Sequence, residues 1–411
     1  MIRIIEAFSG IGSQSKALQN LGVKYELIST IEWDVHAIYA YDLIHNGPQT
    51  KNKYDSWNKE ELINHLKNRG LSFNGKTQMS EKSLRILGVD FLRRLALSID
   101  RTKNLSNITE VRASDIKNEV DIFTYSFPCQ DLSISGFWRG NISGIDRKSK
   151  NRSNMLWEVE RILHEMNEIN HKLPKVLLME NVSSIESELH SENFEYWKKC
   201  LRKLGYFNQI YHLNALNFGV PQNRKRAFMI SVYVGNDLFK EEKVVNYFKG
   251  NDLTKRKKTL RNLKDFLRLD YSNSMYLSEA NLSNPNDTPS RRKIQELNNM
   301  IVSKDGSYVG AINTITTKQD RHPNSGLIYF ESSHQGKSQY RNLTPRECFL
   351  LMGFSENDYQ VLIENNLHTK SNSRIFTKEK MIRLAGNSIV VPVLEEVFAS
   401  IIGVLMVLEK D

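Results

Sequence analysis

Cys129 is the residue whose position most favours covalent chemistry, because it directly follows an apolar run, 121–127, that is typical of a buried strand. The carboxyl ends of parallel strands build active sites in α/β proteins. A thiol there, near a helix N-terminus or cationic side chains, ionises more readily, and the thiolate is the nucleophile. A lone cysteine is more often an inert core residue, which is how we interpret Cys200 and Cys348 inside helical patterns. Cys129 is therefore the candidate nucleophile.

A carboxyl group and two guanidinium groups follow at the edges of later apolar runs. Glu180 ends the run 175–179 and should emerge on the same edge of the sheet as Cys129. In a pocket, such a carboxyl group can be kept protonated and serve as a hydrogen-bond donor or general acid. Arg224 and Arg226 stand two apart, hence on one side of an extended chain, where they could orient an anionic or carbonyl-bearing substrate. An ordinary solvated basic run is the alternative interpretation of the two arginines.

A turn of small residues near the N-terminus favours a nucleotide-type ligand. Phe8, Gly10 and Gly12 follow the first apolar run and precede a helix, a setting in which the backbone can approach a ligand closely. About twenty residues further on, Glu32 could accept both hydroxyls of a ribose, and Trp33 could stack on a purine.

The number of glycines in this turn indicates which kind of nucleotide it can bind. The third glycine of a dinucleotide fingerprint is missing, which argues against a pyrophosphate and for a nucleoside-type cofactor without phosphates. Asp115, just before the run 121–127, could then hydrogen-bond an adenine amino group. The alternative is a strand–turn–helix unit with an incidental acid.

Short apolar runs alternate with segments of helical period from residue 2 to about residue 234, which indicates an α/β unit with a mainly parallel sheet. The predicted strands cover residues 2–8, 25–31, 121–127, 175–179 and 227–234. The predicted helices between them include residues 13–21, 34–45, 154–171 and 194–204. Residues 48–107 are charged and helix-prone, and we interpret them as an inserted helical elaboration.

Composition shifts after about residue 235, which predicts a second domain. Its features in chain order are a basic cluster of helical period at 255–268, an Asn-, Ser- and Pro-rich stretch at 283–290, β-like pieces near 309–317 and 327–330, and helical periodicity at 345–352 and from 381 to the end. The basic cluster is either a phosphate contact or a solvated surface.

Charge and cysteine content bound the class of protein. The 411 residues carry 57 Lys and Arg against 47 Asp and Glu, a net charge of +10 that favours an anionic partner such as nucleic acid. Three widely separated cysteines, without metal-ligand spacing, indicate neither a disulfide framework nor a structural zinc site. The start lacks the apolar stretch of a signal peptide, and the longest apolar run is shorter than a membrane span. We expect a soluble intracellular protein.

Taken together, these residues resemble the DNA (cytosine-5)-methyltransferase family, whose motifs they match in order. The matching segments are residues 8–12, 32–34, 115–116, the nucleophile segment 127–130, the acid segment 180–182, the QxRxR segment 222–226, and segments 341–347 and 386–389. Ser13 stands where many members have a further glycine. Residues 6–14 and 124–133 are similar to the bacterial subgroup that includes CG-specific enzymes.

The resemblance implies a Rossmann-like, S-adenosylmethionine-dependent methyltransferase domain of α/β class with a second, smaller, mixed target-recognition domain. Residues 1–234 would form the catalytic domain, with the helical insert at about 48–107. Residues 235–378 would form the target-recognition domain, and residues 379–411 would complete the catalytic domain.

The resemblance also implies roles for single residues. Cys129 would be the nucleophile and Glu180 the acid, while Arg224 and Arg226 would orient the base. The cofactor residues implied are Phe8, Gly10, Gly12, Glu32, Trp33, Asp115, Ile116, Phe127, Pro128, Met155, Asn387 and Ser388. The DNA contacts implied are Gln130, Ser133, Arg139, Arg152, Thr316 and Arg321.

The implied reaction transfers a methyl group from S-adenosylmethionine to carbon 5 of a flipped cytosine in a specific double-stranded DNA sequence. A covalent bond between Cys129 and carbon 6 would form on the way, and S-adenosylhomocysteine would be the product. No metal is implied. We expect a monomer in the bacterial cytosol or nucleoid, away from membranes, either solitary or accompanied by a cognate restriction endonuclease that acts separately.

The sequence leaves three alternatives open. An RNA cytosine-5 methyltransferase that acts on transfer RNA would share the chemistry and differ in the second domain. A non-catalytic DNA-binding relative is disfavoured by the joint presence of Cys129, Glu180 and Arg226. A nicotinamide-dependent oxidoreductase has only the turn at Gly10 and Gly12 in its favour.

Overall fold

A computed structural model of the chain describes residues 1–128, 155–235, 237–370 and 373–409. Five residues of the predicted site lie outside the described residues, namely Cys129, Gln130, Ser133, Arg139 and Arg152. Their roles stay predictions.

A six-stranded sheet is the centre of the N-terminal half of the chain. Its strands are β1 (Ile2–Ala7), β2 (Tyr25–Ile31), β3 (Ile122–Tyr125), β4 (Val176–Val182), β5 (Tyr206–Asn214) and, after a short β6 (Gln222–Asn223) outside this sheet, β7 (Lys225–Tyr233). The order is β2-β1-β3-β4-β7-β5, with β1 to β4 parallel and β7 antiparallel to β4. Consecutive residues such as Ile4 and Ile5 are fully buried, so both faces of the sheet are covered.

Helices connect and flank these strands. Their bounds are α1 (Ser13–Asn20), α2 (Val35–Asn46), α3 (Lys59–Leu66), α4 (Glu81–Ile86), α5 (Val89–Arg101), α6 (Leu156–Glu168), α7 (Glu188–Lys203) and α8 (Leu238–Gly250). Polar caps begin several of them, because the first N–H groups of a helix need acceptors. Asp34 accepts from His36 N at the start of α2, and Asn58 forms a capping box with Glu61 at α3. Three of the helices, α3 to α5, lie within residues 48–107.

Strand order creates a switch point between β1 and β3. The chain places β2 on one side of β1 and β3 on the other. Ligands of open α/β sheets bind outside the carboxyl ends of the strands at such a point. Residues 8–12 follow β1, and Phe127 and Pro128 follow β3. Two of the segments predicted to bind the cofactor therefore leave the sheet at its switch point.

Mostly short elements make up the C-terminal half of the chain, which ends in one long helix. Their bounds are α9 (Ser274–Ser283), α10 (Pro289–Glu296), β8 (Met300–Val302), β9 (Ile312–Asn313), β10 (Leu327–Tyr329), β11 (Tyr340–Arg341), α11 (Pro345–Leu351), α12 (Glu356–Glu364), β12 (His368–Lys370), β13 (Ser373–Arg374), α13 (Lys378–Asn387) and α14 (Val391–Leu408). They include a three-stranded sheet of order β11-β10-β8 and two strand pairs, β12-β13 and β6-β9.

The chain forms two compact units. The first unit comprises Met1–Leu213, Lys225–Arg256 and Leu394–Asp411, and the second comprises Asn214–Arg224 and Lys257–Val393. These limits differ from the predicted domains, since residues 235–256 belong to the first unit and residues 379–393 to the second. The functional division into a catalytic and a target-recognition domain stays a prediction.

The predicted α/β fold class is confirmed, and each of the five predicted strands occurs within a few residues of its expected bounds. The edge strand β5 was not predicted, because Asn208, Gln209 and His212 interrupt its apolar pattern. The helical period read at residues 255–268 is wrong. This stretch forms only two short 3₁₀ turns, Leu253–Lys255 and Leu263–Phe266.

The C-terminal segment Lys378–Leu408 is long and apolar enough to cross a membrane by length and composition alone. Most of its apolar stretch is buried inside the protein. Four of its residues are fully buried, namely Val397, Phe398, Ile401 and Val404. A buried core helix passes the same test of length and composition, so the segment is weak evidence for a membrane span.

Candidate active site

The turn after β1 has an unusual backbone. The φ angle is +56° at Phe8, +55° at Gly10 and +80° at Gly12. A left-handed φ suits glycine and costs a non-glycine residue about 1–3 kcal/mol, so Phe8 is held there by its surroundings. One restraint is the hydrogen bond from Phe8 N to Ile31 O at 2.7 Å. Such strain is found mostly at ligand sites, which fits the predicted cofactor turn.

Gly12 is required by space as well as by backbone angle. A Cβ at this position would lie 2.6 Å from Tyr41 Cε2 and would also meet His45 Nε2. Both side chains come from α2, and His45 Nε2 lies 3.0 Å from Ile11 O. The turn therefore packs directly against the second helix of the fold.

Glu32 lies next to the same turn. Its Oε2 accepts a hydrogen bond from Gly10 N at 3.0 Å, and its Oε1 accepts from Trp33 N and Asp34 N, both at 2.9 Å. Burial, and then the charge of Asp34, raise the pKa of Glu32 to about 7, although the three N–H donors oppose the shift. The side chain remains partly exposed. A carboxylate here can accept the hydroxyls of a ribose.

Four residues predicted to bind the cofactor share one hydrophobic cluster. Ile116 and Phe127 are each 2% exposed within it, and Phe8 and Met155 pack against it. Asp115 ends the 3₁₀ turn that precedes Ile116, and its exposed carboxylate accepts from Arg112 N at 2.8 Å.

Asn181 holds the segment that leaves β3. Its Nδ2 donates to Phe127 O at 3.1 Å, and its Oδ1 accepts from Val182 N at 2.9 Å. Asn181 is buried, so this amide ties the exits of β3 and β4 together. No role was predicted for Asn181, although an amide residue directly after the strand-edge acid Glu180 was a usable signal in the sequence.

Glu180 and Arg226 form an ion pair across two neighbouring strands. Glu180 Oε1 lies 3.4 Å from Arg226 Nε, and the two side chains are only 11% and 17% exposed. In the antiparallel register of β4 and β7, Arg226 lies opposite Val182, so it is the diagonal neighbour of Glu180 on the same face. The predicted strand end before Glu180 is wrong, because pairing with β7 extends β4 to Val182.

Arg224 has different partners from Arg226. Its Nη1 donates to Ile315 O at 2.9 Å, and its Nη2 donates to Gly386 O at 3.2 Å and to Ser388 O at 3.0 Å. Only 5% of the residue is exposed. The structure therefore does not place the two guanidinium groups on one shared target, and Arg224 fixes backbone of the second unit.

The remaining predicted residues belong to the second unit. Asn387 is exposed, whereas Ser388 is buried and donates its Oγ to Leu384 O at 2.8 Å. Thr316 donates its Oγ1 to Lys318 O at 2.6 Å, and its backbone packs so closely on Gly386 that a Cβ there would lie 2.6 Å from it. Arg321 is exposed. Their contacts with cofactor and DNA stay predictions.

The geometry of the turn distinguishes between classes of nucleotide. Gly10 N donates to Glu32 and Gly12 N donates to Ser9 O at 2.9 Å, so both amides are already used inside the protein. A pyrophosphate site needs such amides free. The residues therefore fit S-adenosylmethionine, which has a ribose and an adenine but no phosphate. Within the described residues, no group of three or more His, Cys, Asp and Glu side chains could hold a metal ion.

Comparison with solved structures agrees with this fold. The chain superposes on the Dnmt2 methyltransferase of S. pombe with a TM-score of 0.59 and 18% identity, covering 98% of this chain and 99% of that one. A putative DNA modification methyltransferase encoded within a prophage of E. coli gives a TM-score of 0.54 and 15% identity, covering 99% and 100% of the two chains. The fold is that of the S-adenosylmethionine-dependent DNA methyltransferases.

Comparison of sequences identifies the family. The family model for C-5 cytosine-specific DNA methylase matches residues 97–403. The orphan methyltransferase M.SssI of Spiroplasma monobiae is 33% identical over 98% of this chain and 97% of its own length. The type II methyltransferase M2.ScrFI of Lactococcus lactis subsp. cremoris is 31% identical over 97% and 98%. The chain belongs to the C-5 cytosine-specific DNA methylase family and is a DNA (cytosine-5-)-methyltransferase.

Proposed function

We propose that the protein methylates carbon 5 of a cytosine that is flipped out of double-stranded DNA, through a covalent adduct of Cys129. The observation that carries this proposal is the Glu180–Arg226 pair, which lies on β4 and β7, beside the strand that leads to Cys129. A carboxyl group and a guanidinium group 3.4 Å apart can bind adjacent polar atoms of one base edge.

Carbon 5 of cytosine is a poor nucleophile, so the ring must first be activated. In the proposal the Cys129 thiolate adds to carbon 6 of the ring, which breaks the conjugation and raises the electron density at carbon 5. Glu180 hydrogen-bonds and protonates the ring at N3, and Arg226 holds O2. S-Adenosylmethionine, when bound, supplies an electrophilic methyl group.

The last step restores the aromatic ring. Carbon 5 carries both its hydrogen and the new methyl group, and a water or hydroxide in the site takes the carbon-5 proton. The electron pair released re-forms the ring double bond and expels Cys129 as thiolate, and N3 returns its proton to Glu180. The products are 5-methylcytosine and S-adenosylhomocysteine.

We propose that different residues contact the ribose and the adenine of S-adenosylmethionine. Glu32 accepts the ribose hydroxyls, Trp33 stacks on the adenine, and Asp115 accepts from its amino group. Phe8, Gly10, Gly12, Ile116, Phe127, Pro128, Met155, Asn387 and Ser388 complete the pocket. Asn181 and Arg224 act through the backbone that they hold, and we regard both as positioning residues.

The DNA contacts follow from charge and from the need to extrude the base, which costs a few kcal/mol. We assign Gln130, Ser133, Arg139 and Arg152 to the catalytic side and Thr316 and Arg321 to target recognition. Residues 235–378 would act as the target-recognition domain, and residues 1–234 with 379–411 as the catalytic domain. We propose a monomer in the cytosol, which either stands alone or accompanies a restriction endonuclease.

Covalent trapping tests the nucleophile. A duplex with 5-fluorocytosine at the target cannot lose a proton from carbon 5, so the adduct should persist on a denaturing gel when S-adenosylmethionine is present. We expect an adduct with the wild type and with the matched control Cys200→Ala, and none with Cys129→Ser. An adduct that survives Cys129→Ser contradicts the proposal.

The substrate is tested separately by tritium transfer from labelled S-adenosylmethionine. We expect label in double-stranded DNA and none in transfer RNA. Bisulfite sequencing of a plasmid from cells that express the protein then gives the bases around each modified cytosine, with CG as one candidate site.

A further inference from the structure

A turn of the helical insert, residues 71–79, binds the loop that carries Glu32. Ser72 N donates to Trp33 O at 2.7 Å, and Val35 N donates to Ser72 O at 2.9 Å. Ser72 is fully buried. The insert thus binds a carbonyl and an N–H group on either side of Asp34.

The same loop holds the Glu32 carboxylate with its remaining N–H groups. Trp33 N and Asp34 N both donate to Glu32 Oε1 at 2.9 Å. Trp33 therefore donates to the carboxylate with its N–H and accepts from Ser72 with its carbonyl. A shift of Ser72 would move the peptide groups that orient the carboxylate.

The turn has its own internal hydrogen bonds, so it can act as a fixed support. Ser72 Oγ donates to Thr77 O at 2.7 Å and accepts from Gly75 N at 3.0 Å. Asn74 Oδ1 accepts from Lys76 N at 2.8 Å and from Thr77 N at 3.0 Å. Short polar side chains that bind the backbone in this way rigidify turns.

Phe73 adds an aromatic contact between the turn and α2. Its ring meets the ring of His36 edge-on, with centroids 4.6 Å apart. His36 is 1% exposed, and its Nδ1 lies 2.8 Å from Asp34 Oδ1. The pair therefore fixes the turn against the N-terminus of the helix that begins directly after the Glu32 loop.

Hydrogen bonds hold the insert at two further places, which fixes its position relative to the Glu32 loop. Asp42 of α2 is fully buried and accepts from Gln49 Nε2 at 2.7 Å and from Ser98 Oγ at 3.0 Å, and Arg101 Nε lies 3.1 Å away. At its far end, Leu105 N donates to Thr30 O at 2.9 Å. Thr30 lies two residues before Glu32.

We propose that residues 71–79 are a positioning element of the cofactor site, in which Ser72 and Phe73 set the affinity for the adenosyl group by holding the Glu32 loop. This inference rests on the proposed assignment of Glu32 to the ribose. It gives the insert a function in cofactor binding rather than in DNA recognition.

Two variants of the full-length protein test the inference, with S-adenosylhomocysteine binding measured by calorimetry without DNA. Phe73→Ala removes an aromatic contact worth about 0.5–1.5 kcal/mol, so we expect a dissociation constant about two- to tenfold higher. Ser72→Pro removes the N–H that binds Trp33 O and the Oγ that holds the turn, so a folded Ser72→Pro variant should also bind more weakly than the wild type. The matched control is Ile86→Ala, an exposed apolar residue of the same insert, 57% accessible, which should bind as the wild type does.

Steady-state kinetics distinguish a specific effect on the cofactor site from a general loss of enzyme structure. We expect Phe73→Ala to raise KM for S-adenosylmethionine and to leave kcat and KM for DNA unchanged. Unchanged affinity in either variant, provided that the variant is folded, overturns the inference. A wild type that neither binds S-adenosylhomocysteine nor methylates DNA would instead overturn the proposed function.

Discussion

At the scale of single residues, the site depends on carboxyl groups whose protonation the fold controls. Burial opposes the charge of Glu32 and raises its pKa to about 7, although three backbone N–H groups favour the charged form. Glu6, which is fully buried beside Ser15 and Tyr41, also has its pKa raised to about 7 by burial. Burial is therefore the main cause that raises the pKa of both Glu32 and Glu6 to about 7.

The first prediction concerns Glu32 and pH. The carboxylate accepts ribose hydroxyls better than the protonated acid, and its pKa is about 7, so affinity should fall as the pH is lowered through 7. Below that value we expect the dissociation constant for S-adenosylhomocysteine to rise by up to about tenfold per pH unit. Calorimetry between pH 6 and pH 8 measures this.

Glu6 supplies the control for that experiment. Glu32→Gln should bind weakly and with little dependence on pH, whereas Glu6→Gln should retain the pH dependence of the wild type. If the pH dependence of binding vanishes in Glu6→Gln and persists in Glu32→Gln, Glu6 rather than Glu32 is its cause, and the prediction is wrong.

At the scale of elements, the cofactor turn is shaped by α2 as much as by its own glycines. Gly10 and Gly12 both have a left-handed φ, but they differ in their neighbours. Among the described residues, nothing lies within 4 Å of a Cβ at Gly10, whereas a Cβ at Gly12 meets Tyr41 and His45 of α2.

The second prediction separates backbone strain from crowding. Gly10→Ala should reduce the free energy of unfolding by about 1–2 kcal/mol through φ alone. Gly12→Ala should reduce it by about 2–5 kcal/mol, because overpacking adds to the backbone cost. Urea unfolding followed by tryptophan fluorescence compares them. Adding His45→Ala to Gly12→Ala should restore part of the loss, and equal losses for the two glycine variants would argue against crowding by α2.

At the scale of the whole molecule, some basic side chains are paired within the protein, whereas others are exposed and can contact DNA phosphates. Of the basic residues at 255–268, Arg256 pairs with Glu396 and Arg268 with Glu356. Arg261 lies over the ring of Phe266, with its guanidinium carbon 4.5 Å from the ring centroid. Lys255 and Lys257 are exposed, which makes them the better candidates for phosphate contacts.

The third prediction is a salt dependence. Each phosphate contact contributes a slope of about −0.9 to the logarithm of the DNA association constant against the logarithm of salt concentration. Replacing Lys255 and Lys257 by Ala should therefore reduce the slope by about 1.8. The control variant, with Lys51→Ala and Lys82→Ala, loses the same charge from exposed positions of the insert and should keep the slope. Equal slopes in both double variants would rule out this contact.

The order of residues alone predicts the alternation of strands and helices, the α/β class and the ordered motifs, because burial on both faces of a strand and the spacing of a turn are local properties. It could not determine what Arg224, Asn181 and Ser72 bind. Their hydrogen bonds join positions far apart in the chain, and such bonds depend on strand register and helix packing. The extension of β4 past Glu180, the different partners of the two arginines and the contact of the insert with the Glu32 loop are visible only in the folded chain.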